Sequence, residues 1–146
     1  MVKDCETAKV LALDFGKLAS VPEGCVPVAV QDADSREVIL VAYTNEAAMR
    51  EAFAKRRLIL WSSSRNALWE KGATSGDTFT LVGAYVNCEQ NSLLYTVRAD
   101  GGGMCHTCDG EGRHRATCFY REIDFDSLRL SEVQESRSSG VQNRNP

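Results

Sequence analysis

Two features that would place the protein on a membrane or on nucleic acid are missing from its sequence. No stretch approaches the ~20 consecutive apolar residues that a membrane-spanning helix needs. The net charge is −3 at pH 7, whereas a general nucleic-acid binder carries an excess of basic residues. The sequence therefore predicts no membrane partner and no nucleic-acid partner, and any anionic ligand has to be held by a local group of residues.

The first residues also lack the apolar run of a secretory signal peptide, because Lys3, Asp4 and Glu6 interrupt it. We therefore expect a cytoplasmic protein whose cysteines stay reduced, so that metal binding is favoured over disulfide bonds. The length of 146 residues and 43% hydrophobic content predict one globular domain, residues 1–126, followed by a polar tail, residues 127–146, predicted to be disordered.

Metal-binding side chains are concentrated between Gly101 and Arg121, in the segment GGGMCHTCDGEGRHRATCFYR. It contains three of the six cysteines, both histidines and five of the eleven glycines. Thiolates and imidazoles suit zinc, and glycine-rich backbone lets such ligands converge without steric strain. This segment is therefore the first candidate for a functional site, with Cys105, Cys108 and Cys118 as its candidate thiol ligands.

Spacing alone leaves the role of the C-x-x-C pair open. Cys105 and Cys108 could form a redox pair, a disulfide or half of a zinc site. A redox pair is typical of a helix start, which the glycine-rich residues 109–112 do not favour. The segment CHTCDGEG also fits the C-x-x-C-x-G-x-G repeat of the DnaJ-type zinc region, which has four repeats where this chain has one.

Residue patterns predict six strands and two helices. Apolar runs and alternation indicate strands over residues 26–32, 38–43, 58–61, 78–86, 93–97 and 118–123, a helix capped by Thr44 or Asn45, and a short helix over residues 8–13. The first two strands are expected to pair as a hairpin. The continuous apolar run Val38–Tyr43 predicts a strand buried on both faces, and Gly83 predicts a bulge.

A second informative stretch runs from Trp61 to Gly76, WSSSRNALWEKGATSG. Five hydroxyl side chains, one arginine, one lysine and two glycines lie within it. Such a loop can hold a phosphate through hydroxyls, backbone N–H groups and a bidentate arginine. The alternative is an ordinary polar surface loop. Further on, Cys88 lies in a predicted turn, from which it could serve as a third or fourth metal ligand.

Five segments of the chain, taken in order, resemble the phosphoribosyl-AMP cyclohydrolase family of histidine biosynthesis. They are VPVAVQD, VILVAYTNEAAMR, WSSSRNALWEKGATSG, the cysteine turn, and MCHT ending in CFYR, spanning about Leu13 to Arg121. The pattern W-S-x-S-R-x-x-L-W-x-K-G-x-T-S-G is matched at every specified position. The resemblance implies an α+β fold of mostly antiparallel strands with a few short helices, forming an intertwined homodimer with active sites at the subunit interface.

The resemblance also implies a zinc-dependent hydrolase that opens the adenine ring of phosphoribosyl-AMP. Its zinc ligands carry over to Cys88, expected from the other subunit, Cys105 and Cys118, which leaves one position open for water. His106 is the predicted catalytic base, because three thiolates weaken zinc as a Lewis acid. The implied phosphate and ribose contacts are Ser62, Ser64, Arg65, Lys71, Thr74 and Ser75. Few residues follow Arg121, so the form without a fused pyrophosphohydrolase domain is expected.

The chain departs from the family pattern at two places. Asn87, Glu89 and Asn91 stand where the family has three aspartates for magnesium, so we expect magnesium binding to be reduced or lost. Between Cys105 and Cys118 there are twelve residues instead of six, and Cys108 replaces a glycine. Cys108 either completes a closed four-cysteine site or only lines the longer loop.

Two alternatives to the family activity stay open on the sequence. One is a divergent paralogue that acts on another purine nucleotide. The other is a non-catalytic zinc-binding protein with a four-cysteine site. The intact phosphate-loop pattern favours an enzyme, because a zinc store has no use for Arg65, Lys71 and Ser75 together.

Overall fold

The computed structural model describes residues 7–11, 22, 24–101, 103–105 and 107–133. Its named elements are β1 (Val26–Asp32), β2 (Val38–Thr44), α1 (Glu46–Lys55), β3 (Ile59–Ser62), β4 (Ala67–Glu70), β5 (Phe79–Val86), β6 (Leu93–Ala99), β7 (Arg121–Ile123) and β8 (Leu130–Glu132). The predicted helix over residues 8–13 is wrong where it can be checked, because Val10 forms an antiparallel bridge with Arg129 and Leu11 donates its N–H to Leu128. Residues 12 and 13 lie outside the described residues.

Six strands form one sheet in the order β4-β3-β2-β1-β6-β5, and β7 pairs with β8 separately. All pairings are antiparallel except that of β1 with β6, which is parallel. The predicted α+β class with mostly antiparallel strands is confirmed, and so is the hairpin of β1 with β2. A bulge between Leu81 and Gly83 confirms the predicted irregularity of β5.

Strand β2 is buried on one side only, which corrects the expectation of burial on both faces. Val38 and Val41 are 45% and 54% exposed, while Ile39 and Leu40 between them are buried. Ile39 and Leu40 are adjacent and yet both buried, because a register shift between Val30 and Gln31 of β1 adds one residue to β2 and breaks its alternation. An apolar run does not reveal such a shift, because the bulge depends on the partner strand.

Helix α1 begins where the sequence indicated. Of the two candidate caps, Asn45 takes the position, because its side-chain oxygen accepts a hydrogen bond from the Ala48 N–H at 3.0 Å. The helix ends at Arg56, whose positive φ of 57° closes the last turn through its N–H and the Ala52 carbonyl. Ala48 and Ala52 are fully buried, so α1 packs against the sheet through its smallest side chains.

The polar stretch from Trp61 to Gly76 is not one loop. Residues Ala67–Glu70 form β4, which pairs with β3 in a hairpin whose turn includes Asn66 at a φ of 53°. Only the residues after β4 form a loop that leads to β5. Strand β4 includes the apolar residues Leu68 and Trp69 of this polar stretch. Pairing with β3 stabilises this strand, which the polar composition around it did not indicate.

The C-terminal part also differs from the prediction. The last expected strand, residues 118–123, is shortened to β7, and Tyr120 before it is buried. Strand β8 lies within the predicted tail and pairs with β7, and Val133 donates its N–H to Tyr120. Ordered structure therefore extends to residue 133, and the rest of the predicted tail, residues 134–146, lies outside the described residues. Among the described residues, no helix is long and apolar enough to cross a membrane.

Candidate metal and nucleotide site

Two of the predicted zinc ligands lie side by side in the structure. The Sγ atoms of Cys105 and Cys118 are 3.6 Å apart, and Cys105 is only 2% exposed. Cys118 is anchored to β2, because its N–H donates to the Ile39 carbonyl at 2.7 Å. On the other side, the Cys105 N–H donates to the Arg115 carbonyl at 2.9 Å. Backbone hydrogen bonds therefore fix both thiols from opposite sides.

The separation of the two sulfur atoms fits two ligands of one metal ion. Two thiolates on a tetrahedral zinc, each at ~2.3 Å from the metal, lie ~3.8 Å apart. A disulfide needs ~2.05 Å, so the observed 3.6 Å is far too long for one. The donor set and spacing of this pair therefore fit zinc.

The Cys105 thiol affects the ionisation of the Cys118 thiol. The hydrogen bond to Cys105, followed by burial and the charge of Cys105, raises the pKa of the Cys118 thiol well above its usual range. Lys71 acts in the opposite direction and favours the thiolate. A metal ion that binds this pair would therefore have to displace the proton of the Cys118 thiol.

Lys71 has a different setting from the one the sequence indicated. We expected it in an exposed loop as a phosphate contact, but it is 6% exposed, with its ammonium group 6.0 Å from the centre of the Phe79 ring. The positive charge of Lys71 lowers the pKa of the Cys118 thiol, against the larger effects that raise it. A buried cation next to two ionisable thiols offsets their negative charge when they bind a metal.

Three of the other predicted substrate contacts form one exposed group at the β3–β4 turn. The Oγ atoms of Ser62 and Ser64 are 3.3 Å apart, and Ser62 Oγ accepts hydrogen bonds at 3.3 Å from the backbone N–H and from Nε of Arg65. Two hydroxyls and a guanidinium are therefore held together, with the remaining guanidinium N–H groups available to a ligand. We call Ser62, Ser64 and Arg65 the turn cluster.

Thr74 and Ser75 are exposed in the loop after β4. The shape of this loop depends on Gly72, which has a φ of +84° and whose missing side chain leaves room for the Asp77 carbonyl, since an added Cβ would lie 1.8 Å from that oxygen. Ser75 Oγ accepts a hydrogen bond from the Asp77 N–H at 3.3 Å. Thr74 and Ser75 therefore belong to a different turn from the turn cluster.

A histidine–aspartate pair next to Cys105 was missed by sequence reasoning. His114 Nδ1 lies 2.9 Å from the Cys105 carbonyl oxygen, and its Nε2 lies 3.4 Å from Asp77 Oδ2. The Asp77 carboxylate also packs against Gly103, where an added Cβ would meet it at 2.7 Å. His114 stood out in the sequence as part of the cysteine segment, but Asp77 gave no signal, because 37 positions separate the two residues in the chain.

The long segment between the paired cysteines folds back on itself. Asp109 and Arg113 close it through a backbone hydrogen bond of 2.8 Å, and Cys108 forms an antiparallel bridge with His114. Backbone hydrogen bonds, first from Arg113 and then from Glu111, lower the pKa of the Asp109 carboxyl and hold the turn. The extra residues therefore build a short β-hairpin, residues 107–115, which presents His114 to Cys105.

Cys108 is exposed on this hairpin. In residues 7–11, 22, 24–101, 103–105 and 107–133, no three metal-binding side chains lie close enough together to hold an ion, so Cys108 does not join the Cys105–Cys118 pair there. His106, the predicted base, lies outside the described residues.

Cys88 lies at the other end of the β5–β6 ribbon. Val86 pairs with Leu93 at the Cys88 end, whereas Phe79 pairs with Ala99 at the end that leads to Cys105. Eight strand residues span roughly 26 Å, so Cys88 does not reach the thiol pair of its own chain.

The side chains that stand where the family pattern has three aspartates close the Cys88 turn. Asn87 Oδ1 accepts hydrogen bonds from the N–H groups of Asn91 and Ser92, both at 2.9 Å, and Asn91 Nδ2 donates to Glu89 Oε2 at 3.2 Å. Hydrogen bonds within the turn therefore link these three side chains to one another and to the backbone.

Comparison with known proteins identifies the family to which the sequence is similar. The family model described as phosphoribosyl-AMP cyclohydrolase matches residues 40–120, a range that includes the turn cluster, Cys88 and the thiol pair. A phosphoribosyl-AMP cyclohydrolase of Halobacterium salinarum is 41% identical over 118 residues, which cover 80% of this chain and 86% of the relative. The corresponding enzyme of Archaeoglobus fulgidus is 37% identical over 107 residues, 73% of this chain and 93% of the relative.

A bifunctional relative is also similar. The histidine biosynthesis bifunctional protein HisIE of Thermus thermophilus is 40% identical over 111 residues, 76% of this chain and 49% of the relative. The aligned lengths to the single-function and bifunctional relatives are similar, at 107 to 118 residues of this chain. On these similarities, the chain belongs to the phosphoribosyl-AMP cyclohydrolase family.

Proposed function

We propose that this chain is a phosphoribosyl-AMP cyclohydrolase that opens the adenine ring of its nucleotide substrate by hydrolysis, in histidine biosynthesis. The observation that carries the proposal is the Cys105–Cys118 thiol pair, with its sulfur atoms 3.6 Å apart inside the region that matches the family. The proposed reaction is that of the relatives, which are named phosphoribosyl-AMP cyclohydrolases. The buried thiol pair provides a site suited to the metal that such a hydrolysis uses.

Cys105 and Cys118 provide two thiolates for zinc, and Cys88 of a second copy provides the third. When bound, zinc supplies Lewis-acid activation of the attacking water. The residues of this chain would then hold the metal, with the Cys105 sulfur shielded from bulk solvent by burial. The nearby ammonium group of Lys71 offsets negative charge from the thiolates, which lessens the loss of Lewis acidity that three sulfur ligands cause.

His106 remains the proposed general base, since it directly follows the ligand Cys105. His114 is the other histidine in the segment, but its two ring nitrogens face the Cys105 carbonyl and Asp77. A ring held between two acceptors positions the backbone around Cys105, so His114 serves to orient the ligand and leaves the proton transfer to His106.

A second copy of the chain is part of the proposal, because Cys88 lies beyond the Val86–Leu93 end of the ribbon, away from the thiol pair of its own chain. Strand β5 lies at one edge of the six-stranded sheet, and three of its apolar side chains are largely exposed: Val82 at 47%, Tyr85 at 59% and Val86 at 54%. An exposed apolar edge next to a ligand is the surface expected at an interface. We therefore expect a homodimer whose active sites combine residues of both subunits.

The turn cluster and the loop with Thr74 and Ser75 are proposed to hold the nucleotide. Arg65 keeps guanidinium N–H groups exposed beside two hydroxyls, which suits a phosphate or a ribose. Magnesium has no role in this proposal, because Asn87 and Asn91 leave Glu89 as the one carboxylate of the three side chains, and magnesium prefers anionic oxygen ligands.

Product formation with controlled metal content tests the proposal. The metal-stripped protein should open the ring of phosphoribosyl-AMP after addition of zinc alone, and added magnesium should leave the rate unchanged. X-ray absorption of the zinc-loaded protein should fit three sulfur ligands at ~2.3 Å and one light atom at ~2.0 to 2.2 Å. Four sulfurs with no light atom, together with no turnover, would favour the closed non-catalytic site with Cys108 instead.

A further inference from the structure

The Asp77 carboxylate lies between two segments of the candidate site. Asp77 directly follows the loop with Thr74 and Ser75, and its side chain packs against the glycine-rich backbone that leads to Cys105. A Cβ added at Gly103 would lie 2.7 Å from Asp77 Cγ and 2.8 Å from Asp77 Oδ2. Gly103 is buried, so the carboxylate occupies the place that a side chain at this position would need.

On the loop side, the backbone of Asp77 belongs to the turn that carries Ser75. The Asp77 N–H donates to Ser75 Oγ at 3.3 Å, and the Asp77 carbonyl fills the space that a side chain at Gly72 would take. The Gly76 N–H donates to the Gly72 carbonyl at 2.8 Å and closes the same turn. The positions of Asp77 and of the Ser75 hydroxyl are therefore tied together.

On the hairpin side, His114 connects Asp77 to Cys105. His114 Nε2 lies 3.4 Å from Asp77 Oδ2, and His114 Nδ1 lies 2.9 Å from the Cys105 carbonyl oxygen. The carbonyl of the next residue, Arg115, accepts the Cys105 N–H at 2.9 Å, and the Arg115 N–H donates to the Thr107 carbonyl at 3.1 Å. The hairpin therefore holds the backbone of Cys105 at both its N–H and its carbonyl.

The contact between His114 and Asp77 joins the hairpin to the loop. The two side chains are 37% and 20% exposed, so the contact is partly shielded from water. A site works only when its parts are held close to the productive geometry by such supporting contacts. The hairpin is longer than in the family pattern, which therefore assigns no role to His114.

We propose that Asp77 and His114 are positioning residues of the cyclohydrolase reaction, which couple the Thr74–Ser75 loop to the ligand Cys105. This inference rests on the proposed function, in which the loop holds the nucleotide and Cys105 holds the metal. The loop and the ligand then need a fixed separation, because a displacement of ~1 Å at a reacting centre can lower the rate ~100-fold. The longer hairpin supplies the histidine that maintains this separation.

Hydrogen exchange of the zinc-loaded full chain, measured by mass spectrometry, tests the coupling without turnover. Asp77→Asn keeps the size of the side chain and removes its charge, and His114→Gln removes the ring that joins the two segments. Either substitution should speed exchange about fivefold in both the loop, residues 72–77, and the hairpin, residues 107–115, because a contact that restrains local opening is lost.

Two controls belong to the exchange experiment. The Cys88 turn, residues 87–92, lies at the other end of the β5–β6 ribbon and should exchange as in wild type. Asp34→Asn breaks an exposed ion pair with Arg98, so it removes an aspartate contact far from the loop and the hairpin in the chain, and both segments should exchange as in wild type.

Steady-state kinetics test the positioning role. Asp77→Asn and His114→Gln should each lower kcat about tenfold and leave KM within about twofold of wild type, because the loop still binds the nucleotide but no longer holds it in the productive position. The double variant should lose no more activity than either single variant, since both substitutions remove the same contact. The zinc content should stay as in wild type.

The cross effects decide the coupling. Faster exchange of residues 72–77 in His114→Gln and of residues 107–115 in Asp77→Asn would support it, whereas faster exchange confined to the substituted segment would overturn it. Unchanged kcat, or a fall in kcat matched by loss of zinc, would overturn the positioning role. Coupled exchange in a wild-type chain that opens no ring would refute the proposed function and not the coupling.

Discussion

The two ends of the β5–β6 ribbon are built in different ways. At the Phe79–Ala99 end, buried side chains and a network around Asp100 lead into the segment with Cys105. At the Val86–Leu93 end, Cys88 is exposed in a turn held by hydrogen bonds of its own backbone and polar side chains. One end thus contains two thiols in fixed positions, while the other presents a single thiol outward. The contrast between the two ends is the basis for the proposal that two chains share one site.

The largest expected effect comes from removing a thiol at the buried end. Cys118→Ser should lower ring-opening activity by more than about 100-fold and abolish stoichiometric zinc binding, because hard serine oxygen is a poor zinc ligand. Metal analysis and product formation measure both effects. Cys25→Ser removes a cysteine outside the proposed ligand set, and it should retain zinc and activity. Full zinc content in Cys118→Ser would show that the thiol pair is not the metal site.

Subunit mixing tests whether the exposed end works with the buried end of another chain. Cys88→Ser and Cys105→Ser proteins should each be inactive alone. After exchange, about half of the dimers are mixed and one of their two sites has all its ligands, so roughly a quarter of wild-type activity should return. Exchange itself is confirmed by mass spectrometry of tagged subunits. No recovery in verified mixed dimers would place the whole site within one chain.

A substitution in the turn cluster should weaken binding of the nucleotide without affecting binding of the metal. Arg65→Ala should raise KM about tenfold or more, since a charge-assisted contact with phosphate is lost, while zinc content stays unchanged. Steady-state kinetics and metal analysis measure these quantities. Arg98→Ala, which breaks an exposed pair with Asp34, is the control and should keep its KM. An unchanged KM in Arg65→Ala would remove the turn cluster from the substrate site.

The free energy of unfolding should fall in acid, because Asp100 stabilises the Phe79–Ala99 end of the ribbon as a carboxylate. Hydrogen bonds from Thr80, Arg57 and Thr78 lower the pKa of its carboxyl to about 2. Because the folded-state pKa lies below the unfolded value, this contribution is present above pH ~4 and is lost as the pH falls from about 4 towards 2.

The Asp100 prediction is tested by denaturant unfolding at several pH values. Asp100→Asn should lower the free energy of unfolding by about 1 kcal/mol at pH 7, a value reduced for the partial exposure of the side chain, and the gap to wild type should narrow at pH 3. Asp126→Asn, in a surface turn, should match wild type at both values. If the difference in unfolding free energy between wild type and Asp100→Asn is the same at both pH values, the carboxylate charge does not stabilise this end.

The smallest effect is expected at Cys108. It is exposed on the hairpin and does not lie with the thiol pair, so Cys108→Gly should leave zinc affinity and activity within about twofold of wild type. Competition with a chelator measures the affinity. A large loss of zinc affinity would instead identify Cys108 as a fourth ligand.

Local patterns were sufficient for much of the fold. The bounds of β1, the cap of α1 at one of two adjacent residues and the bulge in β5 all follow from short-range propensities, which the sequence displays directly. The family, and with it the candidate ligands, followed from a dense motif of fixed residues. These features depend on neighbours within a few positions, so no tertiary contact was needed to recognise them.

Only the tertiary structure decided which candidates meet. It brought Cys118 to Cys105, put the charge of Lys71 next to them and placed His114 between Cys105 and Asp77. It also gave Cys108 a place on an exposed hairpin. Each of these depends on strand register and loop paths across tens of residues, which local propensity does not determine, because pairing energy is set by the partner strand and not by the segment alone.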